Sequence, residues 1–299
     1  MIGFYALGGG FGHLTRVKTF IENVQIETPY KVISTNENAY KFFNRDEVIF
    51  IPPSQAESAD SLRNELSEII EKYDFSEFYF DTFPCGIFGE LDNSMFQGIS
   101  LNCLSRRLKW DKYSALFPQV ADMEFDKNYL FEPLKVKHEK FLSKNSQNTL
   151  KVELDYSWMS SVKSKQEILH RIGKKEDEIW LVVHTSDEEE TQLLISQAQD
   201  ISEIEGKKIQ LIVLTNQEIQ TKKNANSKLI AQAPACAFTT PKVLLLLNQN
   251  PIDWFPHASR IFTGAGFNTF YQLRNYRRIH ECIPFPRKWD DQFWRANQE

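Results

Sequence analysis

The chain lacks most of the features that would place it quickly. No stretch is apolar for long enough to cross a bilayer; the longest late run, Val243 to Leu247, is a fraction of the length a membrane helix needs. The opening Ile2-Gly3-Phe4-Tyr5-Ala6-Leu7 has no basic start and is too short for the apolar region of a signal peptide. Cysteine is scarce: Cys85, Cys103, Cys236 and Cys282 form no CxxC pair and have no suitably spaced histidine, so a zinc site is not expected and reduced thiols of a cytoplasmic protein are. There is no basic excess. The formal net charge is -5, which removes the global electrostatic case for nucleic acid and leaves any anionic ligand to local groups.

Nucleotide signatures are also missing or incomplete. No Gly-Lys-Ser/Thr of a P-loop occurs. The dinucleotide fingerprint G-x-G-x-x-G is started by Gly8 and Gly10, but His13 stands at its third position, and Ser34-Thr35-Asn36 supplies no acid for a ribose. A hydride-transfer enzyme is therefore disfavoured.

What is present is an alternation of short apolar runs with helical stretches. Strands are expected at Ile2 to Leu7, Lys31 to Ser34, Glu47 to Ile51, Phe78 to Phe80 and Ile99 to Asn102. Helices are expected over Leu14 to Val24, Asn38 to Phe43 and Ser61 to Tyr73, the last carrying Leu62, Leu66, Ile69 and Ile70 on one stripe. A polar middle follows, with Lys144 to Asn148 as a surface loop. The alternation restarts with strands at Ile179 to Val183, Ile209 to Leu214, Lys242 to Leu247 and Ile261 to Thr263, and with helices at Glu188 to Ala198 and Phe267 to Asn275. Strand–helix alternation means parallel βαβ units. With 299 residues and 23 phenylalanines, two ordinary cores are affordable. The expected fold class is α/β: two Rossmann-like domains facing a central cleft, one over 1–158 and one over 159–299.

Two glycine turns stand between a predicted strand and a predicted helix: Gly8-Gly9-Gly10-Phe11-Gly12 and Gly264-Ala265-Gly266. Glycines there let a phosphate approach the amides and the partial positive charge of a helix start. That edge of an open α/β sheet is where ligands bind. His13 follows the first turn. It reads either as a general base for a hydroxyl, kept neutral by the helix start, or as a histidine hydrogen-bonded to a loop. Asp81 ends a strand on the same edge. It either orients His13 or caps a helix.

The two turns resemble glycosyltransferases of the B-type fold. Gly8 to His13 is similar to the first loop of the family that includes the bacterial peptidoglycan N-acetylglucosaminyltransferase and plant galactolipid synthases. Ala258 to Thr269 resembles that family's donor-binding strand, turn and helix, and Ile283 to Ala296 resembles its next loop. The resemblance implies a nucleotide-sugar donor, a UDP-sugar, held as a substrate in the second domain, with no cofactor and no metal. Gly264, Ala265, Gly266 and Asn268 would surround the diphosphate, with Thr269 at the helix start. Gln292 would touch the sugar, with Asp291 beside it. Gly9, Gly10 and Gly12 would form the phosphate or acceptor loop of the first domain, with His13 and Asp81 catalytic.

The chain departs from that pattern in three places. Gln272 stands where the family has a ribose-binding glutamate. His184 to Glu190 replaces a glycine-rich loop with three glutamates. Little chain follows the sugar loop, so the family's terminal crossing helix is not expected. The reaction implied is transfer of a sugar to a hydroxyl of a glycan, lipid or small molecule, with inversion. A nucleotide-sugar epimerase and a non-catalytic nucleotide-sugar-binding homologue or partner subunit are the rivals. Localisation is expected in the cytoplasm, with peripheral contact at the inner membrane face allowed by Ser105 to Tyr113, whose mixed cations and aromatics read equally as a solvated helix face.

Overall fold

The computed structural model describes residues 1–161, 178–185, 187–216 and 242–298. Cys236, one of the four thiols, lies outside the described residues. Cys85 and Cys103 are buried, and Cys282 is half-buried. The chain divides into two compact units, Met1–Asp155 with Arg287–Asp291, and Tyr156–Pro286 with Gln292–Glu299.

In the first unit the strands are β1 (Ile2–Tyr5), β2 (Tyr30–Ser34), β3 (Val48–Phe50), β4 (Glu77–Asp81), β5 (Ser100–Ser105), β6 (Phe125–Leu130) and β7 (Ser146–Lys151). They form one sheet in the order β3-β2-β1-β4-β5-β6-β7, and every pairing is parallel. The helices are α1 (Phe11–Val24), α2 (Ala59–Lys72), α3 (Trp110–Leu116) and α4 (Val136–Asn145). β1 and β4 are buried along nearly their whole length, because helices cover both faces of a central parallel strand. The α2 stripe expected from the sequence buries Leu62, Leu66 and Ile69. These residues join Phe78, Phe80, Phe96, Phe125 and Tyr113 in one aromatic-rich core. Burying each such ring is worth roughly 2–3 kcal/mol by area, which is where the plentiful phenylalanine goes.

The second unit has β8 (Glu178–Val183), β9 (Ile209–Thr215), β10 (Lys242–Leu247), β11 (Arg260–Gly264) and β12 (His280–Ile283) in the order β10-β9-β8-β11-β12, again all parallel. Its described helices are α5 (Glu188–Ile204), α6 (Phe267–Gln272) and α7 (Gln292–Ala296). Alternate residues of β8 feed opposite faces: Trp180 and Val182 pack with Leu194 and Phe262, whereas Ile179 and Leu181 pack with Trp254 and Phe255.

Three expectations need correction. Lys144 to Asn148 is not a loop: α4 ends at Asn145 and β7 begins at Ser146. β7 is a sheet-edge strand with mostly exposed side chains, so it carries no apolar alternation to announce it. The expected helix to Asn275 stops at Gln272 and passes into a 3-10 turn, Arg274–Ile279. Ser105 to Tyr113 is solvated only in part, because Arg106, Leu108, Trp110 and Tyr113 are buried in the first unit while Asp111 and Lys112 are exposed. No described helix is long and apolar enough to cross a membrane.

Candidate functional site

Each sheet has one topological switch point, where the chain leaves the central strand in one direction and later returns on its other side. In the first unit this lies between β1 and β4, and in the second between β8 and β11. The crevice at the carboxyl ends of such a strand pair is the ligand position of open α/β sheets. His13 and Asp81 follow β1 and end β4. His184 and Gly264 follow β8 and end β11.

The first switch point holds a tight polar cluster. His13 Nδ1 lies 2.5 Å from Asp81 Oδ2. Arg16, one helical turn beyond His13, donates from Nε to Asp81 Oδ1 at 2.6 Å and from Nη2 to Oδ2 at 2.7 Å. The same Nη2 reaches Thr82 Oγ1 at 2.8 Å, and Arg106 Nε donates to that oxygen at 3.2 Å. Arg106 also meets Asp290 Oδ1 at 2.5 Å. Of these residues the sequence pointed to His13 and Asp81; Arg16, Thr82 and Arg106 are additions. The only available signal for Arg16 was its i+3 spacing from His13, which puts both on one face of α1.

Local backbone sets this up. The Phe83 N–H bonds to the Asp81 carbonyl at 3.0 Å, closing a three-residue turn around Thr82, whose φ is 75°. A β-branched residue at positive φ is strained by roughly 1–3 kcal/mol, and it persists here because the Thr82 hydroxyl is held by two guanidinium groups. The turn stacks Phe83 on the His13 ring, with centroids 5.7 Å apart and the planes 27° from parallel. A Cβ on Gly8 would collide with the His13 imidazole, 2.7 Å from Nε2. Phe83 and the Gly8 backbone thus both pack close to the ring. A Cβ on Gly9 or Gly10 would meet nothing within 4 Å. Gly10 caps α1 without a side-chain bond, and Gly12 lies in its first turn.

Burial would raise the Asp81 pKa, but Arg16 and then His13 overcome it and hold the carboxyl down at about 2. The His13 pKa is lowered, first by burial, which outweighs the upward pull of Asp81; Arg16 and Arg106 lower it further. At neutral pH the imidazole is therefore uncharged. Its Nδ1 is committed to Asp81, whereas Nε2 makes no hydrogen bond among the described residues and the side chain stays 14% exposed. An oriented neutral imidazole with one nitrogen unengaged is the form that accepts a proton.

At the second switch point His184 Nε2 lies 2.8 Å from Glu190 Oε2, and Asp187 caps α5 by accepting from the Glu190 amide. One of the three glutamates is thus turned onto His184. A Cβ on Gly264 would come within 3.1 Å of the His184 ring and 3.2 Å of Phe285, so glycine keeps this approach open. Gly266 borders open space. The Ala265 amide is already bonded to the Ile283 carbonyl at 3.1 Å, which takes one of the expected diphosphate donors out of play. Asn268 Oδ1 accepts from the Tyr156 hydroxyl at 3.2 Å. Thr269 sits in α6, and Gln272 at its end lies against Met159.

Asp291 and Gln292, expected side by side at a sugar, have different surroundings. Gln292 is buried and its Oε1 accepts from the Phe285 amide at 3.0 Å. Asp291 belongs to the first unit, where it pairs with Arg107 at 3.1 Å and Lys135 at 3.7 Å.

No protein-family model matches the chain, and no curated protein matches it. Solved structures do. UDP-N-acetylglucosamine 2-epimerase of Rickettsia bellii aligns with a TM-score of 0.61 at 11% identity, over 98% of this chain and 80% of that one. UGT2 of Phytolacca americana, complexed with UDP-2fluoro-glucose and pterostilbene, aligns at 0.54 and 12%, over 99% and 82%. UDP-GlcNAc 2-epimerase of Neisseria meningitidis, bound to UDP-GlcNAc, aligns at 0.56 and 12%, over 88% and 77%. These likenesses establish the fold: two Rossmann-like α/β domains of the GT-B type.

Proposed function

We propose that this chain is an inverting, metal-independent glycosyltransferase that moves a sugar from a nucleotide diphosphate sugar, a UDP-sugar, to an acceptor hydroxyl in the cytoplasm. The observation that carries this reading is the His13–Asp81 pair: Nδ1 held by a carboxylate at 2.5 Å, Nε2 without a hydrogen bond among the described residues, at a sheet switch point. His13 Nε2 takes the proton of the acceptor hydroxyl. The oxygen attacks the anomeric carbon, the bond from that carbon to the diphosphate oxygen breaks, and the nucleoside diphosphate leaves from the opposite face. One displacement inverts the configuration.

In this reading the first unit holds the acceptor, with Gly9, Gly10 and Gly12 beside it, and the second unit holds the donor. Gly264, Gly266, Asn268 and Thr269 surround the diphosphate, and Gln272 faces the ribose. Ala265 contributes shape rather than its amide. The UDP-sugar ligands of the solved GT-B neighbours support the donor class.

A panel of nucleoside diphosphates in a thermal-shift assay tests the donor half. A ligand that binds the native state raises the melting temperature, so UDP should stabilise the protein, and Gly266→Asp, which places a carboxylate in the open space beside that glycine, should abolish the shift. His13→Ala should keep the shift and lose transfer; normal turnover by that variant overturns the assignment of the base. The neighbours that are 2-epimerases favour one second reading, epimerisation of the same donor. Turnover of a UDP-sugar with no acceptor present selects it.

A further inference from the structure

We propose that Arg16 is the positioning residue of this site: its guanidinium clamps Asp81 and thereby holds His13 as the tautomer protonated on Nδ1, leaving Nε2 as the acceptor. The inference rests on the reading of His13 as a base for its catalytic meaning, but the tautomer is a property of the protein alone.

A histidine beside a lone buried carboxylate is drawn toward the imidazolium, because the ion pair favours a second proton. Such a histidine has no lone pair to offer. Here the carboxylate is shared. Arg16 engages both Asp81 oxygens, at 2.6 and 2.7 Å, from a side chain only 2% exposed. The pair Arg16–Asp81 carries no net charge, so Asp81 orients the ring without holding a second proton on it.

The charged groups that face His13 come from four elements. Asp81 is on β4, Arg16 on α1, and Arg106 in the turn after β5. Asp290, from the Arg287–Asp291 segment, neutralises Arg106 at 2.5 Å. Each cation is thus paired with a carboxylate, Arg16 with Asp81 and Arg106 with Asp290.

The tautomer follows from distances. Two electron-rich atoms, Nδ1 and Oδ2, approach to 2.5 Å, which requires a proton between them. Arg16 Nη2 stands 3.3 Å from Nδ1 and has only donors to offer. With the Nδ1 proton directed to Asp81, Nη2 is left to Asp81 and Thr82, as observed. The arrangement needs the planar fork of arginine, since a lysine is a single point donor and cannot bridge both oxygens.

Nitrogen chemical shifts of a 15N-histidine-labelled protein report tautomer and charge directly. His13 is assigned among the six histidines by comparison with His13→Gln. In the unaltered protein His13 should be neutral and protonated on Nδ1 from pH 8 down to below 6.5. In Arg16→Met the freed carboxylate should raise the pH at which the second proton binds by at least one unit, a tenfold change in proton affinity. Arg16→Lys keeps the buried charge and so guards against loss of folding in the methionine variant. It should allow a mixture of tautomers, and in a transfer assay it should lower kcat with little change in donor KM. A His13 tautomer and titration unchanged in Arg16→Lys, with circular dichroism showing a folded protein, overturns the proposal. Normal shifts in a protein that transfers no sugar overturn the transferase reading instead, so the two failures are distinguishable.

Discussion

A carboxylate sealed from water keeps its charge only against cations placed on it, and Asp81 has one that grips both oxygens. Its folded pKa, about 2, lies below the ordinary 3.8. The network therefore contributes its full stability above about pH 4 and loses it as pH falls through 2, a contribution of about 2 kcal/mol. Asp81→Asn strands the Arg16 guanidinium in the interior and should cost about 3–5 kcal/mol at pH 7. In urea unfolding that gap should narrow as pH approaches 2; a constant gap would mean the carboxylate is not ionised in the fold. His138 presents the opposite case. It is fully buried, stacked 4.1 Å from Trp110, and neither ring nitrogen has a partner among the described residues. Burial, with help from Arg107, pushes its pKa down to about 3. The fold thus favours the neutral ring, so this group's stability is present above about pH 6.5 and drains away toward pH 3. His138→Phe removes two unsatisfied polar atoms worth about 1–3 kcal/mol. It should raise Tm and flatten the decline in stability between pH 6.5 and 4; a lower Tm at every pH would show that a nitrogen is bonded after all. Nothing in the sequence marked this histidine, because burial on a helix with few apolar neighbours in sequence leaves no local trace. His13 and Asp81 were readable because both follow a strand on the ligand edge. Arg16 was not, since its meaning depends on where a carboxylate 65 residues away comes to lie.

At the scale of elements, apolar strands were readable, the edge strands β3 and β10 included, and polar ones were not. β1, β4, β8 and β9 are short apolar runs because helices bury both their faces. β6, β7 and β12 alternate poorly or not at all, since one edge or face meets water, and pattern reading passes over them. The first glycine turn shows how a motif divides into separate jobs. Gly8 is fixed by packing: a methyl there drives into the His13 ring. Gly9 and Gly10 are fixed by nothing within 4 Å. Gly8→Ala should therefore cost about 1–3 kcal/mol as an overpacked contact and displace the His13 resonances. Gly9→Ala and Gly10→Ala should leave stability within about 0.5 kcal/mol and affect only ligand binding. Thermal unfolding of the three variants, with the histidine spectrum of each, checks the division. Equal destabilisation by all three would mean the loop is constrained by backbone conformation rather than by the imidazole.

For the whole molecule, the sequence suggested one boundary, but the chain crosses between its two units three times. Residues 287–291 belong with the first unit although they sit within the last stretch of the second. Their resemblance to a sugar-binding loop concealed this, and a lysine–tryptophan–aspartate run has no periodicity to reveal it. The segment is anchored by chemistry specific to the first unit. Trp289 packs edge-on against Phe83 and Tyr113 in its core, and the Trp289 carbonyl accepts from the Lys109 amide at 2.8 Å. Asp290 and Asp291 pair with Arg106 and Arg107. The first unit is thus completed by residues far away in the chain, and Phe83, which stacks on His13, is one of the groups they support. Trp289→Ala opens a cavity in a single core and should cost about 3–5 kcal/mol. The loss should fall on one unit, because among the described residues Trp289 joins only the core of the first unit. Hydrogen exchange followed by mass spectrometry reads this directly. Amides of β1, β4 and β5 should exchange faster in the variant, those of β8, β9 and β11 should keep their protection, and UDP should slow exchange in the second group alone. Equal acceleration in both sheets would show that the two units fold as one cooperative body, with Trp289 stabilising all of it.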